Sequence, residues 1–176
     1  MDKQMPRRKP TRLCGFDYNK VGAYFITICT KDRACILSRV VGVDVLGDPS
    51  AVELLPCGMV ANKYIAQIDG VYANIHIEKY VIMPNHIHML ICVSENGSPR
   101  TSTPTKQTAV IPNFVSTLKR FCNKECGESI WQRGFHDHII RNRKDYEEHL
   151  RYIYENPMRW HFDELYSDVD FSTDSK

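Results

Sequence analysis

Tyr80-Val-Ile-Met-Pro-Asn-His86-Ile87-His88-Met-Leu-Ile-Cys-Val93 is the stretch on which the reading of this chain turns. It is apolar and β-rich, and Pro84-Asn85 interrupts it where a turn belongs. The pattern predicts a hairpin, with one strand over 74–83 and a second over 86–93. Side chains alternate along a strand, so His86 and His88 leave one face and Ile87 and Met89 the other. Two imidazoles so aligned stand about 6–7 Å apart at Cβ and can close on one metal ion. The pattern equally describes two histidines on the solvated face of a half-buried strand. What separates the two readings lies further along the chain, at Tyr152 and Asn156.

Working outward, the apolar parity shifts between Ile77 and Tyr80, which predicts a β-bulge. Ala23-Tyr-Phe-Ile-Thr-Ile-Cys-Thr30 reads as an earlier strand. Residues 34–46 suggest a short hairpin, Gly47-Asp48-Pro49 a turn, and 50–68 a helix whose first part Pro56 and Gly58 disturb. Residues 94–108 are Ser/Thr/Pro-rich and read as a loop. A helix is predicted over 111–123, with Phe114, Val115, Leu118 and Cys122 on its inner face, then a strand over 136–141. A last helix over 145–156 starts with Asp145 as N-cap and ends before Pro157. The order β-α-β-β-α-β plus a C-terminal helix predicts an α+β, ferredoxin-like fold with an antiparallel sheet. The domain plan is a basic arm (1–20), one domain (21–160) and an acidic tail (161–176).

A chain of 176 residues with 43% hydrophobic and 25% charged residues suits one globular domain. No apolar run reaches the roughly 18 residues of a membrane span, and the first residues lack a signal-peptide core, so a cytoplasmic protein is expected. Seven cysteines without a Cys-x-x-Cys pair predict reduced thiols. The net charge of +2 is unevenly spread: residues 163–176 carry −4, and the first 20 residues +4. A basic arm on a basic body suits a polyanionic partner.

On the last helix, Tyr146, Leu150 and Ile153 fall on one face, while Asp145, His149, Tyr152 and Asn156 form a stripe along its flank. Tyr152 and Asn156 are therefore neighbours that can present a phenol and an amide oxygen to one point. If that point is an ion held by His86 and His88, the parts of a phosphodiester-cleaving site are present. A phenol with a reference pKa near 10 is a poor nucleophile at neutral pH. A divalent ion on the scissile phosphate would compensate for that. Attack would leave a phosphotyrosine that keeps the bond energy for rejoining. A tyrosine lining the edge of the core fits the helix pattern as well.

Taken together, Gly22-Ala-Tyr-Phe-Ile-Thr-Ile-Cys-Thr30, Met83-Pro-Asn-His-Ile-His88, Trp131-Gln-Arg-Gly-Phe135, His138-Ile-Ile-Arg-Asn142 and Arg151-Tyr-Ile-Tyr-Glu-Asn-Pro157 resemble the His-hydrophobic-His single-tyrosine transposases, in particular their REP-associated branch. The resemblance implies His86 and His88 as metal ligands, Tyr152 as nucleophile and Asn156 as a third protein ligand. It implies Mg²⁺ or Mn²⁺, and single-stranded DNA beside a hairpin of a palindromic repeat as substrate, for nicking and joining in DNA transposition. A silent hairpin binder or repressor on the same fold is the alternative. Monomer and homodimer both remain compatible, the latter with the tyrosine used across the interface.

Further residues suit a nucleic-acid surface. Arg7, Arg8, Lys9 and Arg12 in the arm and Lys119, Arg120, Arg141 and Arg143 on the body are candidate phosphate contacts. Trp131 is a candidate for stacking on unpaired bases. His138, on a second His-x-His with His136, is a candidate DNA contact, and His149 a candidate for proton transfer.

Overall fold

The computed structural model describes residues 20–41, 51–94 and 109–166. The arm residues Arg7, Arg8, Lys9 and Arg12, the turn at 47–49 and the tail beyond 166 lie outside the described residues.

Strand β1 (Gly22–Cys29) is the axis of the structure, because it pairs on both edges. It runs antiparallel to β5 (His86–Val93) on one side and to β6 (His136–Ile139) on the other. β4 (Ile75–Ile82) closes the far side through a hairpin with β5, giving the order β4-β5-β1-β6. This is the ferredoxin-like antiparallel arrangement expected from the sequence. The bulge in β4 falls between Ile77 and Lys79, within the predicted parity shift.

Both faces of the sheet are covered, which explains why β1 and β5 read as nearly continuous apolar runs. Tyr24, Ile26 and Ile28 of β1 and Ile87, Met89 and Ile91 of β5 enter the main core, where Phe114, Val115 and Leu118 of α3 (Val110–Cys126) and Ala61 and Ile65 of α1 (Pro56–Ala66) pack. On the other face a smaller cluster joins Phe25, Leu90 and Ile153, with Tyr146 and Leu150 against it. These last three residues belong to α4 (Arg143–Glu155) and are the predicted inner face. Burying Ile153, 1% exposed, contributes about 1.5–3 kcal/mol to seating this helix.

Three local expectations change. The early hairpin is wider than 34–46: β2 (Ser38–Val41) pairs with β3 (Ala51–Leu54). Helix α1 therefore begins at Pro56, where the missing N–H costs nothing, rather than near residue 50. A four-residue helix, α2 (Ile68–Val71), follows it. Gly58 permits close packing, since a Cβ there would lie 1.8 Å from the Leu37 carbonyl oxygen. The N-cap of α4 is Asn142, whose side chain accepts from the Asp145 amide at 2.9 Å. Apolar periodicity starts at Tyr146 and misses that polar first turn. Past Pro157, a 3-10 turn (Trp160–Phe162) with Trp160 buried brings residues 163–166 back over the sheet.

All cysteines among the described residues are free thiols, and no described helix is long and apolar enough to cross a membrane.

Candidate active site

His86 and His88 leave β5 on the face that α4 covers, and both are buried. Nδ1 of His88 lies 2.8 Å from Thr27 Oγ1, its cross-strand neighbour on β1. Nδ1 of His86 lies 2.9 Å from Asn85 Oδ1, and Asn85 is itself held by donating to the Leu165 carbonyl at 2.8 Å. The ring centroids are 4.4 Å apart. Nε2 of each ring is buried and has no hydrogen-bond partner. The same holds for Oδ1 of Asn156, although its amide lies near enough to His86 to favour the charged ring slightly.

Orphaned buried acceptors are costly, and a cation satisfies them all at once. Burial pushes the pKa of His86 down to about 4, with Asp163 opposing, and holds His88 well below the usual range. Both rings are therefore neutral at pH 7 and ready to donate lone pairs. The residues present fit a metal.

Tyr152 stands on the next flank. Its ring centroid is 5.2 Å from His88 and 5.9 Å from Phe25, and Phe25 stacks on His88 at 5.0 Å. The side chain is 40% exposed, and it lines a cavity of about 520 Å³ with His88, His136 and His149. Its hydroxyl donates to Asp163 Oδ2 at 3.2 Å, and Asn156 Nδ2 donates to the same oxygen at 2.8 Å. Partial burial, with the Asp163 carboxylate adding to it, pushes the phenol up to about 12.

Asp163 is the residue that sequence reasoning missed. Its carboxylate and the two histidines offer ligand atoms all within 4.8 Å of one another. It opens the acidic stretch 163–176, yet residues 163–165 line the cavity. Its one signal in the sequence is Trp160, a large aromatic three residues earlier, which the fold buries.

The structure thus brings His86, His88, Tyr152 and Asn156 to one place, in one chain. His149 joins them on the cavity wall, 4.7 Å from Phe25 by ring centroids. His138 lies beyond it, stacked on His149 at 4.5 Å. Other candidates separate from this group. Trp131 is 6% exposed and belongs to the main core, so it cannot stack on bases. Lys119 and Arg120 ride on α3, against the opposite face; Lys119 donates to the Gln132 and Gly134 carbonyls, and Arg120 lies over Phe121. Arg141 and Arg143 are exposed beside the start of α4, and Arg143 pairs with Glu147 at 2.7 Å.

No protein-family model matches the chain. A Haemophilus influenzae protein provisionally named a REP-associated tyrosine transposase is 27% identical over 161 residues, covering 89% of this chain and 82% of that protein. An Escherichia coli K12 REP-associated tyrosine transposase is 34% identical over 98 residues, 55% of this chain and 53% of that protein. Among solved structures, a REP-associated tyrosine transposase bound to a REP hairpin aligns with a TM-score of 0.55 and 20% identity, over 88% of this chain and 74% of that one. That likeness speaks for the fold, and the sequence matches speak for kinship. In sequence this chain is similar to REP-associated tyrosine transposases, and in structure it shares the fold of one of them.

Proposed function

We propose that the protein is a metal-dependent nicking and joining enzyme for single-stranded DNA beside a hairpin, acting through a 5′-phosphotyrosine on Tyr152. The observation that carries this is convergence: two orphaned, buried imidazole nitrogens and an orphaned amide oxygen face one point, with an accessible phenol beside it. The hairpin is proposed from the solved relative, which holds a REP hairpin.

In this reading His86 and His88 would hold the ion through Nε2, with Asn156 Oδ1 and the Asp163 carboxylate as further candidate ligands. Thr27 and Asn85 fix the ring orientations by accepting from Nδ1. When bound, Mg²⁺ or Mn²⁺ draws charge from the scissile phosphate. Two imidazoles in the donor set favour Mn²⁺ over Mg²⁺ on ligand softness.

Tyr152 Oη attacks phosphorus, the Tyr152 O–P bond forms, and the P–O3′ bond breaks. The phenolic proton passes to Asp163, which already accepts it as a hydrogen bond, and the departing 3′-oxygen takes a proton, from His149 or from water. Rejoining is the reverse with a new 3′-hydroxyl. Phe25, packed against His88, His149 and Tyr152, keeps the three rings in register.

A second reading, hairpin binding or repression without chemistry, draws on one observation. The phenol is held protonated by burial and by Asp163. Incubating the protein with hairpin-flanked single strands and Mn²⁺, then resolving it on a denaturing gel, separates the two. A covalent adduct that Tyr152→Phe removes, with binding unchanged within about twofold, supports the enzyme. An adduct that survives in Tyr152→Phe moves the nucleophile to Tyr154 or Tyr146, and binding with no adduct under any condition supports the silent binder.

A further inference from the structure

Next to this site, and outside it, the Asp145 carboxylate sits between two imidazoles. His138 Nε2 is 2.9 Å from Oδ1 and 3.0 Å from Oδ2. His149 Nδ1 is 3.1 Å from Oδ1 and 2.8 Å from the Asp145 carbonyl oxygen. His138 comes from β6, while Asp145 and His149 are one turn apart on α4. The two rings are nearly parallel, at 17° and 4.5 Å between centroids.

A bare ion-pair account of this cluster is weak. An exposed imidazolium–carboxylate pair contributes about 0–1 kcal/mol. Neutral rings can each donate one N–H to an acceptor, but charging both to form two ion pairs would stack two cations face to face. A single divalent ion serves both rings and the carboxylate without that repulsion.

The spacing suits such an ion. Four-coordinate bonds of about 2.0–2.1 Å put neighbouring ligand atoms roughly 3.3–3.4 Å apart. The present contacts of 2.9 and 3.1 Å differ from that by a few tenths of an ångström. The carboxylate is pre-oriented, because its Oδ2 also accepts from the Arg141 amide at 2.9 Å. The His138 side chain is 45% exposed, which leaves a coordination position open to water. Two imidazoles and one carboxylate favour zinc and its transition-metal neighbours over magnesium or calcium.

We infer that His138, Asp145 and His149 form a second divalent-metal site, of the transition-metal class, that clamps the first turns of α4 to β6. It is separate from the centre at His86 and His88. The Phe25 ring lies between, 5.0 Å from His88 on one side and 4.7 Å from His149 on the other. The clamp steadies the helix that carries Tyr152.

The test uses chelator-stripped full-length protein titrated with Zn²⁺ and, separately, with Co²⁺. In a His86→Ala/His88→Ala background, verified as folded by circular dichroism, one equivalent of zinc is expected to remain, with visible Co²⁺ absorption from a low-symmetry site. Adding His138→Ala should remove that equivalent, weakening binding by well over the roughly tenfold cost of losing even an outer-shell partner. In the otherwise unchanged protein, His138→Gln should lower the stoichiometry by one equivalent, which keeps the test valid if the double alanine variant misfolds. No stoichiometric zinc in the folded double alanine variant, or zinc that survives removal of His138 in either background, overturns the site.

Discussion

Thr27 Oγ1 stands 2.8 Å from Nδ1 of His88, across the β1–β5 ladder. The tautomer that leaves Nε2 free for a cation is the one in which Nδ1–H donates to that hydroxyl. Thr27 therefore acts through His88. Thr27→Val should lower Mn²⁺ affinity by about 10–100-fold, the usual cost of losing an outer-shell partner. Thr27→Ser should recover most of it. Isothermal titration of both variants is the check, and equal affinity in the valine variant removes Thr27 from the site.

Asp163 tests the electrostatics of the phenol. Burial is the larger cause of the raised Tyr152 pKa, and the Asp163 charge and hydrogen bond add to it. In Asp163→Asn the charge is gone and the tyrosine should titrate below its present value of about 12, toward the ordinary value near 10. Carbon-13 labelling of the tyrosine ring, followed through a pH series by NMR, reads this directly. The same variant should bind Mn²⁺ more weakly than the native chain, since one candidate ligand has lost its charge.

The two site histidines make the metal-free protein sensitive to acid. Both rings are held neutral in the folded state, His86 with a pKa near 4, whereas in the unfolded chain both titrate near 6.5. Unfolding therefore takes up protons, so their contribution is complete above about pH 6.5 and fades as pH falls toward 4. A loss on the order of 2 kcal/mol across that window is expected from His86. Urea unfolding of chelator-treated protein at pH 7 and pH 4.5 measures it. His86→Phe, which has no ring to charge, should show a smaller pH dependence.

Gly58 tests the fold away from the site. A Cβ at this position would meet the Leu37 carbonyl oxygen at 1.8 Å, a backbone atom that cannot swing aside. Leu37 is in turn tied to both neighbours: its amide donates to the Pro84 carbonyl at 3.0 Å, and its carbonyl accepts from the Leu55 amide at 2.9 Å. Gly58→Ala should cost about 1–3 kcal/mol, despite alanine's better helix propensity. Chemical denaturation midpoints decide it, and a neutral or stabilised variant would show that α1 can move off the β2–β3 ribbon.

Much of this protein is written locally. The hairpin at Pro84-Asn85, the shared face of His86 and His88, the bulge after Ile77 and the inner face of α4 all follow from periods of two and 3.6 residues, which depend only on near neighbours along the chain. Tyr152 and Asn156 could be paired for the same reason. Tertiary structure alone decided the rest. It put α4 on the face of the sheet that carries the histidines, because Ile153 and Leu150 pack there against Phe25 and Leu90. It buried Trp131, which resembles a stacking platform in sequence, and it folded Asp163 back onto Asn156 and Tyr152. It also brought His138 of β6 onto the Asp145 carboxylate, beside His149. Such contacts join residues by packing and by the return path of the chain, and no short-range periodicity encodes either.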